Sequence, residues 1–303
     1  MSNVIWREIR GTFQRRDRMV YQLIFLNVLV FLAVNLVRVV MYFMNVPFGI
    51  TGLSNYLALP ADLRTLVRQP WTIVTYMFTH FEFMHILFNL LVFYWFGKIF
   101  SEFAGNKKIL PVYLLGGIAG GLLYIAAYNI FPVFDNSIGV ARAFGASASV
   151  MAIVFAATTL VPDYTMFLFL FGAVRIKWIA LVLVILDIIS IPSSNAGGHI
   201  AHLGGALFGF FYVKQLQRGR DPGSPLNSLA DRFANLFKKK QDLKVTYRRK
   251  EKSTVGGNYK QKNVPQHNTQ EKLDSILDKI SQSGYESLSK EEKDFLFRMS
   301  KEE

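Results

Sequence analysis

Gly145-Ala146-Ser147-Ala148 heads an uncharged apolar run that continues to Val161, and Ala201-His202-Leu203-Gly204-Gly205 heads a second that continues to Val213. A serine and a histidine at the heads of segments this apolar need a reason, because polar groups are costly at membrane depth. The two runs also carry small residues at a spacing of four. Ala148, Ala152 and Ala156 repeat along the first, and Ala201, Gly205 and Gly209 along the second. Small residues at i and i+4 let membrane helices approach closely. If these ridges meet, Ser147 and His202, which border them, come within reach of each other.

Working outward, the 303 residues are 51% hydrophobic even with a strongly charged C-terminal portion included, so the chain reads as a membrane protein. The formal net charge of +13 lies in flanks and loops. That distribution suits orientation in a lipid bilayer rather than nucleic-acid binding. No cysteine is present, which removes thiol chemistry. Six spans fit: residues 20–43, 83–100, 109–130, 147–161, 176–191 and 200–213. Several are shorter than the roughly 20 residues that cross a bilayer, and the fourth suits a bundle centre. The apolar stretch 164–174 is shorter still and reads as interfacial, as does much of the long first loop with Trp71 and Tyr76.

Basic residues orient the spans. Lys98, Lys107 and Lys108, then Arg175 and Lys177, fall on one side together with the basic N-terminal and C-terminal portions. The expected domains are a cytoplasmic segment 1–19, a six-span core 20–213 and a cytoplasmic tail 214–303. Lys238-Lys239-Lys240 and Arg248-Arg249-Lys250 read as a disordered or headgroup-binding stretch. Residues 271–301 read as a small helical hairpin, with Ser289 as N-cap and Glu292 completing a capping box. The first span is too long for a signal segment, and no organelle-targeting segment precedes it. A bacterial inner membrane is the expected location.

With this topology, spans two, four and six begin on the outer side. His85 and Asn89 are one turn apart on span two, on one helix face. They join Ser147 and His202 at similar depth. A serine with an imidazole base is a nucleophilic pair. His85, Asn89 and the backbone N–H of Ser147 are donors suited to an oxyanion. No acidic residue stands beside the histidines in sequence, so a Ser-His dyad is expected rather than a Ser-His-Asp triad. Asp187 and Arg38 lie near span ends, where snorkelling is the simpler reading. His80 and His199 read as interfacial.

His85-x-x-x-Asn89, Gly145-x-Ser147 and Ala201-His202-x-x-Gly205-x-x-x-Gly209, in this order on alternate spans, resemble the rhomboid intramembrane serine proteases. The resemblance covers about residues 20–213. It implies an all-α six-transmembrane-helix bundle, a Ser147/His202 dyad, and His85 and Asn89 at the oxyanion. It also implies hydrolysis of peptide bonds in single-span membrane proteins, with no metal, nucleotide or other cofactor. Three positions depart from the family: Ala148 where Gly is usual, Met151 where an aromatic is common, and Trp71-Thr72 where Trp-Arg is common. Two rival classes share some of these features. His199-x-x-His202 has the ligand spacing of a metal transporter or membrane metalloprotease, although no His-Glu-x-x-His is present. A catalytically silent relative that binds membrane clients would be expected to lack the serine or the histidine.

Overall fold

The computed structural model describes residues 18–46, 49–193, 195–236 and 267–299. Backbone contacts divide the chain into a unit of residues 1–239 and a second of residues 240–303. The basic clusters at 238–240 and 248–250 and the segment 1–17 lie outside the described residues.

The first unit begins with α1 (Arg18–Phe43). The first loop then folds into α2 (Gly49–Leu57), β1 (Leu59–Pro60), α3 (Leu63–Arg68), α4 (Thr72–Thr75) and a 3-10 turn, Tyr76–Phe78. Local chemistry explains its compactness. Asp62 caps α3 by accepting from the Thr65 backbone and hydroxyl at 2.9 and 2.6 Å. The Trp71 indole donates to the Tyr56 carbonyl at 2.8 Å and stacks on the Tyr56 ring. Thr72, where an arginine is common in the family, is fully buried and donates to the Gln69 carbonyl. The loop is therefore held without that arginine.

The bundle continues with α5 (Phe83–Ala104), α6 (Ile109–Ile130), β2 (Arg142–Ala143) and α7 (Ser147–Leu160). After β3 (Thr165–Leu168) and β4 (Gly172–Arg175) come α8 (Ile176–Ser190), α9 (Ala196–Gln217) and α10 (Ser224–Leu236). The six helices α1, α5, α6, α7, α8 and α9 coincide with the six expected spans, with ends shifted by a few residues. Only α1, α5 and a segment containing α6 are long and apolar enough, among the described residues, to cross a membrane by themselves. The 14 residues of α7 reach only about 21 Å at roughly 1.5 Å per residue, against a hydrocarbon core of about 30 Å. It tolerates this because it sits at the centre. Nine of its residues, including Ala148, Met151, Ala152 and Ala156, are buried. By contrast, α1 and α8 turn Leu32, Leu36, Val182 and Ile189 outward, the surface expected of lipid-facing helices.

Close approach comes from the small-residue ridges. A Cβ on Gly205 would overlap the Ala148 carbonyl oxygen, and one on Gly209 would overlap that of Ala152. The α7 and α9 ridges therefore meet backbone to backbone, as their spacing predicts. A third ridge belongs to α6. Gly116 faces Ala152, Gly117 faces Ser149 and Gly120 faces both Ala148 and Ala201. Ser149 is thus sealed between Gly117 and the Met77 sulfur, away from Ser147.

The stretch 164–174, read as interfacial, forms an antiparallel hairpin of β3 and β4. Arg38 does not snorkel: its guanidinium donates to Asn35 and to the Phe81 carbonyl and lies over the Phe81 ring. A boundary at residue 213 falls inside α9, which runs to Gln217. Beyond it, Asp221 pairs with Lys108 and accepts from the Tyr212 hydroxyl, so this segment belongs to the bundle. Before the basic clusters comes α10, preceded by Gly223, which packs against Pro111 and Tyr212.

In the second unit, α11 (His267–Ser283) and α12 (Lys290–Met299) are joined by a 3-10 turn, Tyr285–Ser287. The capping box is present. The Glu292 carboxylate accepts from the Ser289 backbone at 2.7 Å, and the Ser289 hydroxyl accepts from the Glu292 N–H at 3.3 Å.

Candidate active site

The bundle has two chemically different ends. At one, Asn106 accepts from the Met19 backbone, Lys108 meets Asp221, and Lys177 and Arg175 meet Asp163. The loops that carry these basic residues are those expected from sequence on the cytoplasmic side. At the other end, the starts of α5, α7 and α9 surround an open cavity of about 450 Å³. Glu82, His85, Asn89, Ser147, Met151, Asp187, His199 and His202 all border it. Ser147, His85 and His202 also border an adjoining cavity of about 460 Å³ with Gly145 and Ala201. The four residues singled out from sequence are thus gathered from three helices. Among the described residues no hydrogen bond joins the Ser147 hydroxyl to His202; the two groups face the same space.

The approach to Ser147 is held by its loop. Gly145 has φ of +110°, which L side chains rarely adopt, and a Cβ there would lie 2.6 Å from His85 Cε1. Glycine is needed both for the backbone and for the approach of the His85 ring. The Gly145 N–H donates to the Tyr76 carbonyl at 2.9 Å, and the Ala146 N–H to His80 Nε2 at 3.1 Å. Helix α7 then starts with no side-chain cap. The N–H groups of its first turn have no intrahelical acceptor, and that of Ser147 stands at the positive end of the helix.

His80 is fully buried, not interfacial. Its ring lies edge-on to His85 at 5.2 Å. Burial, and then the charge of His85, push the imidazole down from 6.5 to about 4. The sign follows from proton uptake. Between about pH 6.5 and 4 the unfolded chain binds a proton at this position that the native protein does not. Stability is full above the unfolded value and falls as pH drops through this window, by up to about 1.4 kcal/mol per pH unit from this group. Thermal unfolding in detergent should show that acid-side loss. His80→Asn, which keeps an acceptor for Ala146, should make the slope shallower; an unchanged slope would dismiss His80 as a source.

His85 and Asn89 share the cavity-facing side of α5. The Asn89 amide nitrogen donates to the His85 carbonyl at 2.8 Å, which uses one of its two N–H groups and leaves the other. Met151 borders the cavity one turn after Ser147, where an aromatic is common.

The main correction concerns Asp187. It is buried rather than snorkelling, and its Oδ1 accepts from His202 Nδ1 and from His199 Nδ1, each at 2.8 Å. His199 is likewise part of this cluster rather than interfacial. A carboxylate does attend His202. Sequence proximity missed it because Asp187 lies on the preceding helix. A signal existed: α8 and α9 form a helical hairpin, and Asp187 and His199 lie at similar distances on either side of its turn. Asp187, His199 and His202 are also the group among the described residues whose atoms lie close enough to hold a metal ion.

Comparison with known proteins agrees with this arrangement of helices. The sequence model of the Rhomboid domain matches residues 67–218, just over half of the 303-residue chain. A family of unknown function (DUF6576) matches residues 260–302, the region of the α11–α12 hairpin. RHOMBOID-like protein 12, mitochondrial, of Arabidopsis thaliana is 27% identical over 158 residues, 49% of this chain and 47% of that protein. Presenilin-associated rhomboid-like protein A, mitochondrial, of Danio rerio is 28% identical over 152 residues, 48% of this chain and 38% of that protein. Rhomboid protease GlpG of Salmonella typhi is 31% identical over 110 residues, 36% of this chain and 39% of that protein. The chain therefore spans less than half the length of these relatives. The expected bacterial inner membrane finds no support in the mitochondrial names among them. From the domain match, the order of its six bundle helices and their apolar outer faces, the chain belongs to the rhomboid family and is an integral membrane protein.

Proposed function

We propose that this protein is an intramembrane serine endopeptidase that cleaves single-span membrane proteins, with Ser147 as nucleophile and His202 as base. The observation that carries the reading is the buried Asp187 on His202 Nδ1, beside a cavity that Ser147 also borders. A proton on Nδ1 directed at the carboxylate leaves Nε2 as the acceptor. Ser147 Oγ then adds to the scissile carbonyl as its proton passes to Nε2. His202 returns that proton to the leaving amine, and water repeats the cycle on the acyl-enzyme. Asp187 positions the imidazole and stabilises it when charged; it contacts no reacting atom. The oxyanion is received by the Ser147 N–H, His85 and the free Asn89 N–H. Activity resides at the end away from the basic loops, with both termini in the cytoplasm.

The test is labelling of the detergent-solubilised protein by a fluorophosphonate, with loss of label in Ser147→Ala. Label retained by that variant would sink the assignment. Turnover that persists in excess chelator separates the reading from a metalloprotease.

Asn89 and His85 should act on the transition state. Replacing either by Ala should lower kcat by roughly 10²–10³-fold, as for other oxyanion donors, and change KM little. Steady-state kinetics checks this, with thermal unfolding as the control for lost packing. A raised KM at constant kcat would move the two residues to substrate docking.

A further inference from the structure

We propose that Asp187, His199 and His202 form an inhibitory site for a divalent cation of the Zn²⁺ class, and that its occupation switches the serine–histidine pair off. The inhibition rests on the catalytic reading above; the binding does not. The donor set is one carboxylate oxygen and two imidazole nitrogens, all within 4.8 Å of one another. Three such ligands with a position left open suit Zn²⁺, Co²⁺ or Ni²⁺. Ca²⁺ and Mg²⁺ want more oxygen than this site offers.

The geometry is close to that of a bound site. Each Nδ1 stands 2.8 Å from the shared Oδ1. Ligand bonds of about 2.0–2.1 Å to Zn²⁺ at a tetrahedral angle put donor atoms about 3.3 Å apart, so each Nδ1–Oδ1 pair opens by about half an ångström, and the three donors already lie within 4.8 Å of one another. The approach is open: both imidazoles are 20% exposed and border the cavity of about 450 Å³. His199 adds a second argument. An aspartate that only oriented His202 would need one imidazole, yet a second one, with no part in the proposed chemistry, occupies the same oxygen.

Proton accounting supplies the inhibition. In the active tautomer His202 carries its proton on Nδ1 and has a lone pair on Nε2. A cation on Nδ1 displaces the proton, which moves to Nε2. The ring stays neutral, no electron is transferred, and Nε2 becomes a donor. It then has no lone pair for the Ser147 proton. The same ion takes the Asp187 oxygen that held the ring.

The test uses the full chain in detergent after dialysis against chelator. Calorimetric titration with Zn²⁺, and the visible spectrum with Co²⁺, should report one ion per chain. His199→Ala and, as a second variant, His199→Asn should weaken binding at least about tenfold. Ser147→Ala should bind normally, so the site is read without any turnover. In the active protein Zn²⁺ should lower turnover at least about tenfold, reversed by chelator, while Mg²⁺ has no effect. Each variant is compared with its own metal-free rate, and the His199 variants should need about tenfold more Zn²⁺. No stoichiometric binding, or binding unchanged in both His199 variants, overturns the site. Stoichiometric binding without loss of turnover overturns the switch.

Discussion

Ser147→Ala should lose turnover of a single-span substrate by about 10⁵–10⁶-fold, and His202→Ala should lose a similar amount. The two act as a unit, so the double variant is no worse than either alone. Neither change should unfold the protein. Ser147 is half-buried at a cavity wall, and its hydroxyl makes no hydrogen bond among the described residues. Ser149→Ala is the internal control. That serine is sealed against Met77 and Gly117, so its loss should leave activity in place. The measurement is cleavage in detergent and in vesicles, alongside thermal unfolding of each variant. Turnover above background in Ser147→Ala would end the nucleophile assignment, and normal activity in His202→Ala would end that of the base.

Gly205→Ala should have the second largest effect, through packing rather than chemistry. One methyl there has no space, because the Ala148 carbonyl occupies its position. The obstacle is backbone, which cannot rotate away as a side chain can. Helices α7 and α9 must separate, at a cost of about 3 kcal/mol or more for overpacking of this kind. Ser147 and His202 sit on these two helices, so the same separation draws the proposed nucleophile from its proposed base. Activity should fall by at least about 10²-fold. Gly139→Ala, in open space, should change neither stability nor rate. Normal unfolding and normal turnover in Gly205→Ala would show that the ridges tolerate a gap and that their contact is not what brings the pair together.

Much of the bundle was legible before any coordinates. Apolar run length marks helices in lipid because each must satisfy its own backbone hydrogen bonds. All six bundle helices lie where those runs lie. The small residues of α7 and α9 were readable for a similar reason, since a spacing of four places them on one helix face. The same logic applies to α6. Gly116-Gly117 and Gly120-Gly121 reach Ala152, Ser149, Ala148 and Ala201, and they make α6 the third member of the packed centre. The capping box at Ser289 and Glu292 was readable because its partners are three residues apart.

What escaped were contacts made across the fold by buried and half-buried polar groups. Arg38 finds the Phe81 carbonyl, His80 finds the Ala146 N–H, and Asp187 finds two histidines. Read singly, each looked like a residue avoiding lipid. Periodicity and run length are local properties, so the chain alone settled where the six long bundle helices form, which faces carry small residues and which polar groups lie near the same end. Whether a buried charge is tolerated depends on which donor or acceptor the packed bundle brings within about 3 Å of it. That partner comes from another helix, and only the tertiary structure decided that His202 stands on a carboxylate.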